Sequence, residues 1–148
     1  MTEIILLVLQ AFQVLFLWIH DWVPLGQLND IASVRSQDTR SRLVVVTLIQ
    51  SVPFSIGLLY SLLYFRQSYP HWLNNWLWIS YGLLLIGQLR AWWLPYLFRA
   101  EPQRATRDRI MFGNTHSFLP LRNGLVPNTA HIMLHLATVT TLICLLMK

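Results

Sequence analysis

The chain has few charged residues and almost no cysteine. Only 11% of its 148 residues are Asp, Glu, Lys or Arg, and Cys144 is the single cysteine. A water-soluble domain averages about 25% charged residues, so these charges cannot cover the surface of a soluble globule. One thiol can form no intramolecular disulfide and no dithiol relay. The scarcity therefore excludes soluble enzymes, nucleic-acid-binding modules, secreted disulfide-linked domains and thiol oxidoreductases of the membrane.

The chain has long apolar segments, and 55% of its residues are hydrophobic. Four runs approach the ~20 residues that a helix needs to cross a hydrocarbon layer of about 30 Å. They cover residues 4–24, 43–65, 72–96 and 128–147. The first run has neither the basic leader nor the cleavage site of a secretory signal, so we expect it to be retained. The sequence predicts an all-α integral membrane protein, a single domain over residues 1–148 built as a four-transmembrane-helix bundle.

The basic residues are distributed unequally between the two ends of these helices. Eight Lys and Arg residues lie in the two longer loops, against two on the other side. The eight are Arg35, Arg40, Arg42, Arg99, Arg104, Arg107, Arg109 and Arg122; the two are Arg66 and Lys148. Basic residues concentrate in cytoplasmic loops, so the bias predicts a multi-pass protein of the inner (plasma) membrane with both termini outside. Anionic lipid is also attracted by such loops.

The loop between the third and fourth predicted helices, residues 98–127, has two parts. Residues 100–110 are charged and are expected to form a short interfacial helix after Pro102. The remainder combines apolar side chains such as Phe112, Phe118 and Leu119 with turn-forming residues. Long loops with apolar content usually pack on their own domain, so we expect this segment to fold back as a lid on the cytoplasmic end of the bundle.

Each predicted membrane helix carries one polar face. On the fourth helix the spacing i, i+3, i+7 and i+10 places four polar side chains on one side, and the other helices show comparable spacings. The residues concerned are Asn128, His131, His135 and Thr138; Gln10, Gln13 and His20; Thr47, Gln50, Ser51 and Ser55; Tyr81 and Gln88. Unpaired amides and imidazoles are costly in hydrocarbon. The faces are therefore expected to point toward a polar interior.

Two interpretations of that interior stay open. In one, the polar side chains only hydrogen-bond helix to helix, each bond contributing about 0.6 kcal/mol. In the other, ionisable groups that topology brings to the cytoplasmic end form a binding pocket, because such groups at membrane depth are functional candidates. His131 and His116 are then the candidate general bases. The candidate ligand-binding residues are Arg90, Asn114, Thr115, Asn128, His135, His20 and Gln88.

Arg90 has two possible roles. An arginine near the end of a membrane helix commonly extends to the phosphate headgroups. Alternatively its planar guanidinium points inward, where it binds an anionic group beside Asn114 and Thr115 or stabilises developing negative charge.

A metal or haem site is a further alternative. His131 and His135 lie four residues apart, a spacing at which two imidazoles can reach one ion, and His116 or His20 would supply a third ligand. The H-x-x-x-H spacing arises easily by chance, and no glutamate lies between these histidines. We therefore assign no metal ligand, and the sequence specifies no cofactor.

Three classes of function fit these features. The first is a small protein whose cytoplasm-facing polar pocket binds a lipid-like or amphipathic small molecule, as a binding protein or an enzyme. The second is a small transporter or channel working as a homo-oligomer, although no Asp or Glu lies well within a predicted helix to couple proton movement. The third is a noncatalytic subunit of a larger membrane complex. The expected partners are membrane lipids and an amphipathic molecule, and no nucleic acid.

Overall fold

The computed structural model describes residues 1–148, and it is all-helical, without a β-strand. Its α-helices are α1 (Thr2–Ile19), α2 (Ile31–Gln37), α3 (Arg40–Leu63), α4 (His71–Gln88), α5 (Leu94–Leu97), α6 (Pro102–Phe112) and α7 (Thr129–Leu146). A 3₁₀ turn covers Gly26–Leu28. A π-helical segment, Leu89–Trp93, joins α4 to α5, so the chain stays helical from His71 to Leu97.

Three helices, α1, α3 and α7, are long and apolar enough to cross a membrane. The third predicted span corresponds to α4, the π segment and α5. It is helical, but α4 is not among the three, because His71, Asn74 and Asn75 make its first two turns polar. The coarse prediction of an all-helical membrane protein is therefore supported, and a fourth span is not shown by length and composition.

Side-chain caps explain where several helices begin and end. Asn128 caps α7, as the sequence predicted, because its Oδ1 accepts the backbone N–H of His131 at 3.0 Å. α1 ends at Ile19, earlier than the predicted boundary near Pro24. Asn29 stabilises the turn that follows, since its Nδ2 donates to the carbonyl oxygens of His20 (2.6 Å) and Val23 (2.8 Å).

Each of the four long helices packs against two of the others. α1 contacts α3 and α7, and α4 contacts the same two helices. Leucines on α1 and α4 form much of the apolar core toward one end, where Leu6, Leu73 and Leu77 are at most 1% exposed. The outward faces of the helices are rich in exposed Leu, Ile and Val. Such an apolar exterior is typical of a surface that contacts lipid.

The segments between the long helices pack together at the other end. α2 lies against α6, and Val34, Leu43 and Met111 form a small second core. The guanidinium of Arg107 donates to Oδ2 of Asp38 at 2.6 Å, which joins α6 to the residue that follows α2. α6 is the short helix that was expected after Pro102, whereas α2 was not predicted.

Gly57 allows α3 to approach α4 closely. A Cβ added at this glycine would lie 3.0 Å from Cδ2 of Leu77, which is itself buried, and 3.8 Å from the indole of Trp76. Trp76 also donates its indole N–H to the carbonyl oxygen of Pro53 at 3.0 Å. Small residues at helix crossings give membrane helices their closest contacts, so Gly57 sets the separation of this pair.

Replacing Gly57 with Leu is expected to destabilise the protein by about 1–3 kcal/mol, because the added side chain must displace Leu77 in a packed core. The measurement is the thermal midpoint in mild detergent, followed by circular dichroism. Gly82→Leu is the matched control, since a Cβ at Gly82 meets nothing within 4 Å. An equal midpoint for the two variants would contradict the close approach.

Candidate functional site

The polar faces of the helices meet in a buried hydrogen-bond network. Nε2 of Gln13 donates to Oγ1 of Thr141 at 2.8 Å, and Oγ1 of Thr138 is 2.9 Å from Oε1 of Gln13. Nε2 of Gln88 donates to the same Thr138 oxygen at 2.9 Å. All four residues are at most 5% exposed. The network thus links α1, α4 and α7 through neutral side chains.

Asn128 fixes the ring of His131. Oδ1 of Asn128 is 2.6 Å from Nδ1 of His131, while Nδ2 of Asn128 donates to the carbonyl oxygen of Leu28 at 3.2 Å. Since a carbonyl only accepts, this second bond establishes which end of the amide is oxygen. Nδ1 of His131 must therefore carry a hydrogen, and in the neutral ring Nε2 presents a lone pair. Nothing in the protein hydrogen-bonds that Nε2.

Aromatic rings surround His131. The ring centroids of Trp92 and Phe112 lie 4.4 Å and 5.3 Å from that of His131. The rings of His20 and Phe16 approach edge-on at 5.9 Å and 6.1 Å. These contacts hold the imidazole between α1, the π segment and α6. The lone pair is therefore carried by a ring that is fixed on several sides.

His20 and Asp21 lie close together just beyond the end of α1. Nδ1 of His20 donates to the carbonyl oxygen of Phe16 at 3.0 Å, so the other ring nitrogen faces the carboxylate. That Nε2 is 3.4 Å from Oδ2 of Asp21. Burial raises the pKa of Asp21, and the positive charge of protonated His20 opposes this rise.

His135 has the opposite tautomer to His131. The indole N–H of Trp93 can only donate, and it lies 3.1 Å from Nδ1 of His135. Nε2 of His135 therefore carries the hydrogen in the neutral ring. This N–H is buried and has no partner in the protein. Oε1 of Gln88 is likewise buried without a partner.

A charged cavity of about 390 Å³ lies between the end of α1, the start of α3, the π segment and α6. Its charged lining residues are Asp21, Asp38, Arg42, Arg104, Arg107 and Asp108. The charges are largely paired, with Arg42 and Arg107 on Asp38 at 2.8 Å and 2.6 Å and Arg104 on Asp108 at 3.6 Å. Burial raises the pKa of Asp108, which the two nearby arginines counteract.

An apolar cavity of about 320 Å³ adjoins the charged cavity deeper among the long helices. Leucines supply much of its wall, together with two amides and three imidazoles: Leu17, Leu83, Leu84, Leu134, Gln50, Gln88, His20, His131 and His135. The two cavities share five lining residues, His20, Gln50, Ala91, Trp92 and His131. His131 thus lies at the boundary between the charged cavity and the apolar cavity.

Five of the residues singled out in the sequence come together here. His20, His131, His135 and Gln88 line the cavities, and Asn128 orients His131 from behind. Arg90 does not join them. It is exposed, because it follows Gln88 by two positions, and two residues place side chains on nearly opposite sides of a helix. Arg90 lines neither cavity.

The segment with His116 also lies apart from the cavities. His116 is exposed, its Nδ1 lies 2.8 Å from Oγ1 of Thr129, and its backbone N–H donates to the carbonyl oxygen of Gln27 at 2.7 Å. Thr115 donates to the carbonyl oxygen of Phe112, and Asn114 is exposed beside Asp30. These side chains stabilise turns and do not line the space around His131.

Several residues of the site were not identified from sequence. Arg104, Arg107 and Asp108 share one face of α6 by their i, i+3 and i+4 spacing, a signal that was present but was interpreted as charge that orients the protein. Gln50 lies on the polar face predicted for the second helix but is not among the predicted ligand-binding residues. Asp38 gave no signal, since its partner Arg107 is distant in sequence.

No three His, Cys, Asp or Glu side chains are grouped so as to hold a metal ion. The chain matches no protein-family model, no curated protein and no solved structure. The geometry of the site is therefore the basis for assigning a function.

The hydrogen bonds predict that His131 is the Nδ1–H tautomer and His135 the Nε2–H tautomer, which ¹⁵N-histidine NMR distinguishes directly. Asn128→Ala is expected to release the tautomer of His131 only, since Oδ1 of Asn128 is its acceptor. Trp93→Phe is expected to release that of His135 only. Finding the same tautomer at both positions in the wild type would contradict the assignment.

Proposed function

We propose that the chain is a small multi-pass membrane protein that binds an amphipathic small molecule in the two adjoining cavities. The observation that carries this proposal is the change of lining across His131, from paired charges on one side to leucines on the other. An amphipathic molecule likewise has a polar part and an apolar part. Its polar head fits the charged cavity, and its apolar part fits the cavity among the helices.

The membrane arrangement is part of the proposal. α1, α3, α7 and the helical stretch from His71 to Leu97 would form a four-helix bundle, a view supported by their mutual packing and by their exposed apolar faces. With the eight basic loop residues on the cytoplasmic side, the charged cavity faces the cytoplasm of the inner membrane. α6 and the loop after it would then cover this end as a lid.

The charges favour a head group that is uncharged or zwitterionic. Three arginines and three aspartates line the charged cavity, and Asp38 already binds two of the arginines. A simple anion would have to displace an existing ion pair, and breaking a partly buried pair costs free energy. Nε2 of His131, which has no partner, offers its lone pair to a donor group of the ligand. It is also the general base of any reaction at this site.

The test is mass spectrometry of the protein released from native-lipid nanodiscs. We expect a defined amphipathic molecule to remain bound to the wild type, and its occupancy to fall about tenfold in His131→Leu, because one buried hydrogen bond contributes about 1 kcal/mol or more. Leu84→Trp, which fills the apolar cavity, is expected to displace the molecule without touching His131.

Arg90→Ala and His116→Ala are the controls, since both residues are exposed and line neither cavity. They should retain the molecule at wild-type occupancy. A wild type without any selectively bound molecule, or equal occupancy in all four variants, would contradict the binding function and leave a structural or subunit role.

A further inference from the structure

A third pocket, of about 410 Å³, lies between the turn after α1, the end of α2 and the start of α3. Its lining consists of two apolar and three charged side chains: Trp22, Leu43, Arg35, Asp38 and Arg40. It adjoins the charged cavity, with which it shares Asp38 and Leu43. Trp22, Arg35 and Arg40 line neither cavity of the candidate site. The pocket is therefore a separate place on the surface.

Two guanidinium groups of this pocket carry unpaired charge. Arg35 and Arg40 are exposed, and neither forms a salt bridge within the protein. Cζ of Arg35 lies 6.0 Å from the centroid of the Trp22 ring, within the range of a cation–π contact. The ring itself is fixed, because the indole N–H of Trp22 donates to Oγ1 of Thr47 at 2.9 Å. One of the two charges is thus held in position at the pocket.

Asp38 does not neutralise these two charges, because other arginines already bind it. Its Oδ1 lies 2.8 Å from the guanidinium of Arg42, and its Oδ2 lies 2.6 Å from that of Arg107. With Arg35 and Arg40, four arginines therefore lie around one carboxylate. The pocket keeps an excess of positive charge, which attracts an anion.

The lipid-facing surface of α3 begins next to this pocket. Val44 and Leu48 follow Arg40 by four and eight residues, so the three side chains lie along one side of the helix. Val44 is 40% exposed and Leu48 45%. A rise of 1.5 Å per residue places Arg40 about 6 Å beyond Val44 along the helix axis. If the exposed apolar side chains contact acyl chains, the guanidinium lies at the depth of the phosphate groups, where tryptophans such as Trp22 are also common.

We propose that this pocket binds an anionic phospholipid of the cytoplasmic leaflet. The phosphate lies between the guanidiniums of Arg35 and Arg40, and an acyl chain runs along Val44 and Leu48. This inference uses the membrane arrangement of the proposed function. It does not use the two cavities, so the bound phospholipid is distinct from the amphipathic molecule proposed for them.

The charges favour a phospholipid whose head group has no amine. A phosphate accepts hydrogen bonds from the planar guanidinium of arginine, often two from one side chain. The ammonium of a zwitterionic head group would lie among the same arginines, and Asp38, the carboxylate of the pocket, is already paired. A soluble phosphate would lack the apolar contacts along α3, and an exposed ion pair alone contributes little in water.

The test is native mass spectrometry of the protein in a neutral detergent, titrated with phosphatidylglycerol or with phosphatidylcholine of the same acyl chains. We expect the first phosphatidylglycerol to bind the wild type about tenfold more tightly than the first phosphatidylcholine, since each arginine near a membrane surface strengthens binding of anionic lipid. The double variant Arg35→Gln/Arg40→Gln is expected to lose this preference. Millimolar glycerol 3-phosphate is expected not to compete.

Arg99→Gln/Arg122→Gln is the matched control, because it removes the same charge at exposed arginines that line neither this pocket nor the charged cavity. It should retain the wild-type preference. A wild type without preference, or an equal loss in both double variants, would overturn the site. Competition by glycerol 3-phosphate would overturn the lipid in favour of a soluble phosphate.

The two binding proposals can fail separately. Arg35→Gln/Arg40→Gln is expected to keep the amphipathic molecule of the cavities at wild-type occupancy, because neither arginine lines them. Leu84→Trp is expected to displace that molecule and to leave the preference for phosphatidylglycerol unchanged, since Leu84 does not line this pocket. Loss of the phosphatidylglycerol preference in Leu84→Trp would contradict a separate lipid site.

Discussion

The structure depends on one constraint, that a polar group among lipid-exposed helices must find its partner inside the protein. Gln13, Thr138 and Gln88 meet this requirement by bonding to one another across three helices. Because each of them would be costly on the outer surface, the network determines which face of each helix points inward.

Asn128 connects three levels of the structure. It caps α7, its Nδ2 binds the carbonyl oxygen of Leu28 in the turn after α1, and its Oδ1 sets the tautomer of His131. The start of the helix, the position of a loop and the chemistry of the imidazole are therefore coupled through one amide. An aspartate could accept the same N–H groups but could not donate to Leu28. A serine could cap the helix but is too short to reach the ring in the same way.

The spacing of polar residues in the sequence predicted those features of the fold that depend on a single helix. The inward faces of α1 and α7 follow from the spacing of Gln10, Gln13, His135 and Thr138, all of which are buried. The cap at Asn128 was also predictable, since it depends on residues close in sequence. The side to which Arg90 points was not predictable from sequence. It depends both on the two-residue offset from Gln88 and on the packing of α4 against α7. The pairing of Asp38 with Arg107 depends on how α2 meets α6, and no local pattern specifies that.

The position of the cavities follows from where the chain places large and small residues. At the far end of the helices Leu6, Leu73 and Leu145 close the interior with almost no exposed surface. At the near end α4 and the π segment present Gly87 and then Ala91, four residues apart on one face, so neither fills the space beside α3. Pro95 adds to this, since it lacks an N–H to donate to the carbonyl of Ala91, and Arg104 of α6 donates to that oxygen instead. A leucine at position 87 would have filled part of the cavity, and a residue with an N–H at position 95 would have occupied the acceptor that Arg104 of α6 uses.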